Sequence, residues 1–149
     1  MNQDRSFVEL NRASTGRMRS LVARLSDGQL QTPVGKRWTA STTLAHLAFW
    51  DLRVLHLLDA TEREGTLVAP EIDVAVNDIL HPLAAAIPPR QAAEIAVRAA
   101  EDLDRRLENL PPQLLEQIHA RYERWVVRAL HRNAHLDAIE AALKQQAER

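Results

Sequence analysis

The stretch PPRQAAEIAVRAAEDLDRRLENL, residues 88–110, decides the fold class. Its apolar residues Ala92, Ala96, Ala99, Leu103, Leu107 and Leu110 recur at spacings of three and four, the period of a helix that buries one side. Pro89 sits where a helix would begin, and a proline in the first turn loses no hydrogen bond because that N–H has no intrahelical partner. Pro111-Pro112 then separates this helix from the C-terminal part of the chain.

Working outward, the same period reappears on both sides. Towards the N-terminus, Phe7, Leu10, Asn11, Ser14, Met18, Leu21, Val22 and Leu25 form one stripe, predicting a first helix over about 4–25, stopped by Asp27-Gly28. Residues 29–37 hold Pro33 and Gly35 and read as a loop. Thr39 or Ser41 can cap a second helix that runs to Glu64, with Leu47, Trp50, Val54, Leu57 and Leu58 on its apolar side and Gly65 at its end. Residues 66–89 are the least regular part; Asp73 can cap a short helix through Leu80, which Pro82 and Pro88-Pro89 interrupt. A last helix is expected over about 113–144. The expectation is an all-α chain, a four-helix bundle with a long connection between helices 2 and 3, forming a single domain over residues 1–149.

Composition narrows the function classes. The 149 residues carry 19 basic and 20 acidic side chains, and the signs alternate along the chain, which is unlike a nucleic-acid binder. There is no cysteine, so disulfides, thiolate metal ligands and cysteine nucleophiles are excluded, and a reducing cytoplasm is the expected location. No stretch approaches the length of a membrane span, and the polar residues 1–12 lack the apolar run of a signal peptide.

One cluster carries chemistry. In His131-Arg132-Asn133-Ala134-His135 the two histidines lie one turn apart on one face, a spacing at which two imidazoles can hold one metal ion. Ala134, Ala138, Ile139 and Ala142 share that side and point it inward. Two unrelated histidines on an amphipathic helix have the same spacing. His46, beside the apolar stripe of the second helix, is either a hydrogen-bonded core residue or a third ligand, if the second and fourth helices are neighbours. Three protein ligands leave an open position, as in catalytic sites, and all-nitrogen ligation suits zinc, nickel, iron or copper. Arg124 and Arg128 continue the histidine stripe; they are either solvated or hold an anionic substrate. Trp50, one turn from His46, can wall a pocket or pack in the core. His56, His81 and His119 fall on other faces or in a loop. The sequence has no glycine-rich phosphate loop, no His-Glu-x-x-His and no serine in a nucleophile elbow. Glu116 to His119 is a single Glu-x-x-His, where di-iron bundles need two.

Trp38-Thr39, Leu44-Ala45-His46-Leu47 with Trp50-Asp51, and the stretch from His131 to Ile139 resemble the signatures of the DinB-like superfamily; Ile72-Asp73 with Asn77 is similar to its polar element before the third helix. The resemblance implies a four-helix bundle and a divalent metal (zinc, nickel or iron) held by His46, His131 and His135, with Trp50 and Arg128 in the substrate pocket. It further implies a small-molecule substrate, a low-molecular-weight thiol as co-substrate, and a homodimer. Characterised relatives include mycothiol-dependent maleylpyruvate isomerase, which has an additional C-terminal domain, and bacillithiol transferases. The functions to be weighed are a metal-dependent thiol S-transferase or hydrolase, and a non-catalytic stress-related or interaction scaffold of the same fold.

Overall fold

The structure, a computed structural model, describes residues 4–149; the first three residues of the polar N-terminal stretch lie outside the described residues. Helix accounts for 76% of the chain and strand for 3%, so the all-α expectation holds.

Helix α1 (Ser6–Arg24) buries Phe7, Asn11, Ser14, Thr15, Met18, Leu21 and Val22. Leu10, expected in that stripe, is exposed instead. The helix ends at Leu25, whose backbone is extended, and not at Asp27-Gly28. Gly28 keeps right-handed helical angles inside a turn braced by Ser26 and Gln29, each accepting a bond from the other's backbone N–H. The last carbonyls of α1 find their donor elsewhere: Arg90 reaches across to the Val22 and Leu25 oxygens.

Residues 29–39 are more ordered than the expected loop. A 3-10 turn (Gln29–Gln31) leads into two-residue antiparallel strands, β1 (Pro33–Val34) and β2 (Trp38–Thr39). Helix α2 (Ala40–Glu64) then starts on a capping box, with Thr39 Oγ1 accepting from the Thr42 N–H and Thr42 Oγ1 accepting from the Thr39 N–H. Thr39, not Ser41, is the cap. Gly65 ends α2 in the left-handed conformation at φ 75°, where a side chain would be strained.

The connection after α2 holds helix α3 (Val76–Ala86), and Pro82 lies inside it, where a break was expected. Pro82 is exposed, so the carbonyl that its missing N–H leaves unpaired can turn to water. Helix α4 (Pro89–Glu108) comes next with proline in its first turn, and buries the apolar residues of the deciding stripe, which Leu110 extends just beyond the helix end.

The expected last helix is divided. The chain forms α5 (Pro112–Arg121), α6 (Glu123–Val126) and α7 (Ala129–Ala147), with non-helical backbone at Tyr122 (φ −134°, ψ 67°) and Val127 (φ −91°, ψ 86°). The second break is stabilised from outside by Asn11 of α1. Its Oδ1 accepts from the N–H groups of Arg128 and Ala129 at 2.8 and 3.0 Å, and its Nδ2 donates to the Val126 oxygen at 2.7 Å. Asn11 therefore caps α7 across space, satisfying donors that a helix start leaves without partners.

Helix α2 packs on α4, α3 and α7, and α1 packs on α4 and α7. The apolar core comes in two principal clusters. One gathers Met18, Leu21, Leu44, Leu47, Ala96, Leu136 and Ile139 with their neighbours; the other gathers Phe7, Val54, Leu58, Leu103, Leu107, Leu115 and Trp125 with theirs. Between them runs a buried polar layer. Asp51, completely buried, accepts from Arg128 Nε at 2.9 Å and Arg132 Nε at 3.0 Å. Arg132, also completely buried, donates through Nη1 to Asp104 at 2.8 Å and to the hydroxyls of Ser14 and Thr15. Thr15 in turn donates to the other Asp104 oxygen. Each charge in this layer meets an opposite charge and added hydrogen bonds, the condition under which ions are tolerated in a core. Among the described residues no helix is long and apolar enough to cross a membrane.

Candidate metal centre

Because α2 and α7 are neighbours, the histidines of the two helices meet. One ring nitrogen from each of His46, His131 and His135 lies within 4.8 Å of the others. The Nε2 atoms of His46 and His131 are 3.3 Å apart, and the His135 ring centre lies 4.6 Å from that of His46 and 4.8 Å from that of His131. Two nitrogens bound tetrahedrally at about 2.0–2.1 Å from a zinc ion stand about 3.3 Å apart. The His46–His131 pair already has that separation, and a rotamer-scale adjustment of His135 closes the triangle.

Two further observations fit a cation. The Nδ1 atoms of His46 and His131 are buried without a hydrogen-bond partner. The cluster therefore holds polar atoms whose desolvation the protein itself does not offset, the kind of exception that calls for an ion or other ligand. Burial also pushes the His46 imidazole down to about 4, with the charge of His135 adding to the effect. It pushes His131 down to about 3, helped by Arg128, and lowers His135 in the same direction. All three rings are neutral near pH 7, the protonation state in which imidazole binds metal. The donor set, three neutral nitrogens, is compatible with a divalent metal site.

The histidines do not lie on the side of α7 that the small residues suggested. Ala134 and Ala138 are exposed, and the buried stripe is Ala129, Arg132, Leu136 and Ile139. His131 and His135 flank that stripe, half-buried, and so face a cavity instead of the core.

Two cavities meet at the cluster. One, about 490 Å³, is lined by His46, His131, His135, Trp50 and three arginines, Arg53, Arg124 and Arg128. The other, about 400 Å³, is lined by His46, His135, Trp38, Val34, Thr43 and Asp78. Val74 and Asn77, at the start of α3, border both. Asn77 Oδ1 accepts from Trp50 Nε1 at 3.0 Å, which fixes the indole against the histidine wall. Trp38 packs edge-on to His46 at 5.6 Å between ring centres.

Trp50 and Arg128 thus lie in the same cavity wall as the histidines. Arg128 is buried and paired with Asp51, not solvated, while Arg124 is exposed at the rim. The remaining histidines stay apart. His56 is exposed, His119 packs edge-on to Phe7, and His81 sits on α3 and not in a loop, with Nε2 3.0 Å from the Arg37 carbonyl. Sequence reasoning missed the buried pairing of Asp51 with Arg128 and Arg132. It also missed the wall formed by Trp38 and Asn77, although their signal was present in the motifs around His46 and before the third helix.

Residues 11–117 match the family described as mycothiol maleylpyruvate isomerase N-terminal domain, which is part of the DinB-like superfamily. The matched span includes His46, Trp50 and Asp51 and ends before α7. No curated protein and no solved structure matches the chain.

Proposed function

The chain belongs to the mycothiol maleylpyruvate isomerase N-terminal domain family, and we propose that it is a divalent-metal-dependent thiol S-transferase on a four-helix bundle. In this reading α1, α2, α4 and α7 are the bundle and His46, His131 and His135 are the metal ligands. The observation that carries it is the buried group of neutral histidines, whose ring nitrogens lack protein partners and which opens on two cavities. Two cavities suit a reaction that brings two small molecules to one point. A divalent ion such as zinc, nickel or iron, held there, would supply a Lewis acid that stabilises a thiolate near neutral pH.

The chain's own residues do the rest. Burial keeps the three imidazoles unprotonated. Asp51 fixes Arg128, and through Arg132 it holds α7 against α2, so the spacing of the ligands is set by the buried polar layer. Asn77 holds Trp50 as a flat apolar wall for the electrophile. With no cysteine in the chain, the thiol must come from a small co-substrate. No carboxylate lines the larger cavity among the described residues, which leaves a hydrolase without a general base there and favours transfer to a thiol.

Cobalt substitution tests this. Adding mycothiol or cysteine to the cobalt-loaded protein should produce a sulfur-to-metal charge-transfer band, absent in a His131→Ala variant. A cobalt-loaded protein whose spectrum ignores every thiol supplied would contradict the transferase and leave a metal-binding scaffold.

A further inference from the structure

The two cavities that share the histidines differ in charge. Arg53, Arg124 and Arg128 line the larger one with no acidic side chain among its described lining residues. The smaller has Asp78, which is paired with Arg37 on the surface, and no arginine. Three guanidinium groups beside three neutral imidazoles leave a concentrated positive field in a partly desolvated space, and the protein provides nothing inside the cavity to balance it.

Arg128 is the best placed of the three. Its Nε is held by Asp51 and its Nη1 by the Arg124 carbonyl, both at 2.9 Å, so the guanidinium is fixed in orientation. Its remaining nitrogen, Nη2, is buried with no hydrogen-bond partner, in a side chain only 6% exposed. A buried guanidinium donor left unpaired costs more than a neutral one, and native proteins rarely keep one without use. Arg53 is engaged already, donating to the Pro70 carbonyl and lying over the Trp50 ring, so it adds charge more than a free donor. Arg124 is exposed at the mouth of the cavity.

We propose that the arginine-lined cavity is a carboxylate subsite, in which Arg128 Nη2 donates to a carboxylate oxygen of one substrate, Arg124 draws the anion in, and Trp50 and Trp125 flank its apolar part. The second substrate then occupies the neutral cavity beside Trp38. The inference rests on the transferase reading for the assignment of the two cavities, but the subsite itself exists with or without a metal. It specifies the electrophile: a small organic acid with a flat or apolar body, its carboxylate turned from the histidines towards α6 and the start of α7.

Benzoate and benzamide, alike in shape and different in charge, probe it directly. Binding is read from tryptophan fluorescence in metal-free protein and again after zinc loading, with zinc content measured in parallel. Metal-free wild type should prefer benzoate about ten-fold or more, the size of one charge-assisted hydrogen bond. Arg128→Met should lose that preference, and Arg124→Gln should lower it and its salt dependence while leaving zinc content unchanged. Equal binding of the two probes by wild type overturns the subsite, as does an unchanged preference in a natively folded Arg128→Met protein. Should Arg128→Met not fold, the Arg53→Gln, Arg124→Gln double variant decides, and an undiminished preference there overturns the proposal. Loss of the preference with zinc retained, or of zinc with the preference retained, separates this subsite from the metal reading.

Discussion

Replacing Asp51 by Asn keeps the side-chain shape and removes one buried negative charge. Asp51 is completely buried and accepts from two arginines, Arg128 and Arg132, at 2.9 and 3.0 Å. An asparagine oxygen can still accept from one of them, but its NH2 group then faces the other guanidinium, donor against donor. Breaking a buried ion pair costs about 3–5 kcal/mol. Arg132 keeps Asp104 as a partner, so the lower end applies, about 3 kcal/mol. That is a large share of the ~5–15 kcal/mol that typically holds a folded domain together. It corresponds to a melting temperature lower by about 6–12 °C for a chain of this size. Urea unfolding of the metal-free protein at pH 7.5, followed by circular dichroism, measures it. Arg19→Gln, which breaks the surface pair with Glu101, is the reference and should cost under about 1 kcal/mol. A loss in Asp51→Asn no larger than that of Arg19→Gln would refute the claim that the polar layer organises the core.

Three other outcomes are expected from the same structure. Asn11→Ala leaves the Arg128 and Ala129 N–H groups and the Val126 oxygen without their partner, and should cost about 2–4 kcal/mol in thermal unfolding; a loss under about 1 kcal/mol would mean that α7 does not depend on this cap. Zinc binding at pH 6 should release almost no protons from His46 and His131, whereas two histidines of ordinary pKa would release about 1.5. Calorimetry in buffers of different ionisation enthalpy gives the number, and a release near that larger value from these two would show that the rings are not held neutral. Stability of the metal-free protein should fall with acid, because the unfolded histidines take up protons below about pH 6.5 and the folded ones do not until about pH 4 for His46 and 3 for His131. Between pH 7.5 and 5 the two together should cost about 3 kcal/mol after allowing for solvent screening. A His46→Asn, His131→Asn variant should show a correspondingly shallower pH dependence, and an identical one would contradict this.

The helices that were easy to place from sequence are those whose apolar stripe is unbroken. Residues 89–110 show this best, since no polar side chain interrupts the buried face until Asp104 at its edge. Thr39 and Gly65 were legible because capping is local chemistry. The last helix was not, because what divides it at Val127 is a hydrogen-bonding asparagine more than a hundred residues away, and no local signal announces such a partner. The same long-range logic hid the buried face of α7. A reader of periodicity assigns arginine to solvent, so Arg132 shifted the expected stripe onto Ala134 and Ala138, which are exposed. Yet the three histidines could still be named, because the one-turn spacing of His131 and His135 does not depend on which face is buried. What the sequence did not contain was the charge asymmetry around them, since Arg53, Arg124 and Arg128 converge only once the chain around α6 packs against α2.

The most direct test of the central claim is the zinc stoichiometry of protein purified without a chelator or histidine tag, compared with a His131→Ala, His135→Ala variant. The account predicts close to one equivalent in the wild type and a loss of zinc in the variant, with its helical content intact. A wild type that takes up no zinc, nickel or iron under reducing conditions, or a folded variant that binds as much as the wild type, would contradict it.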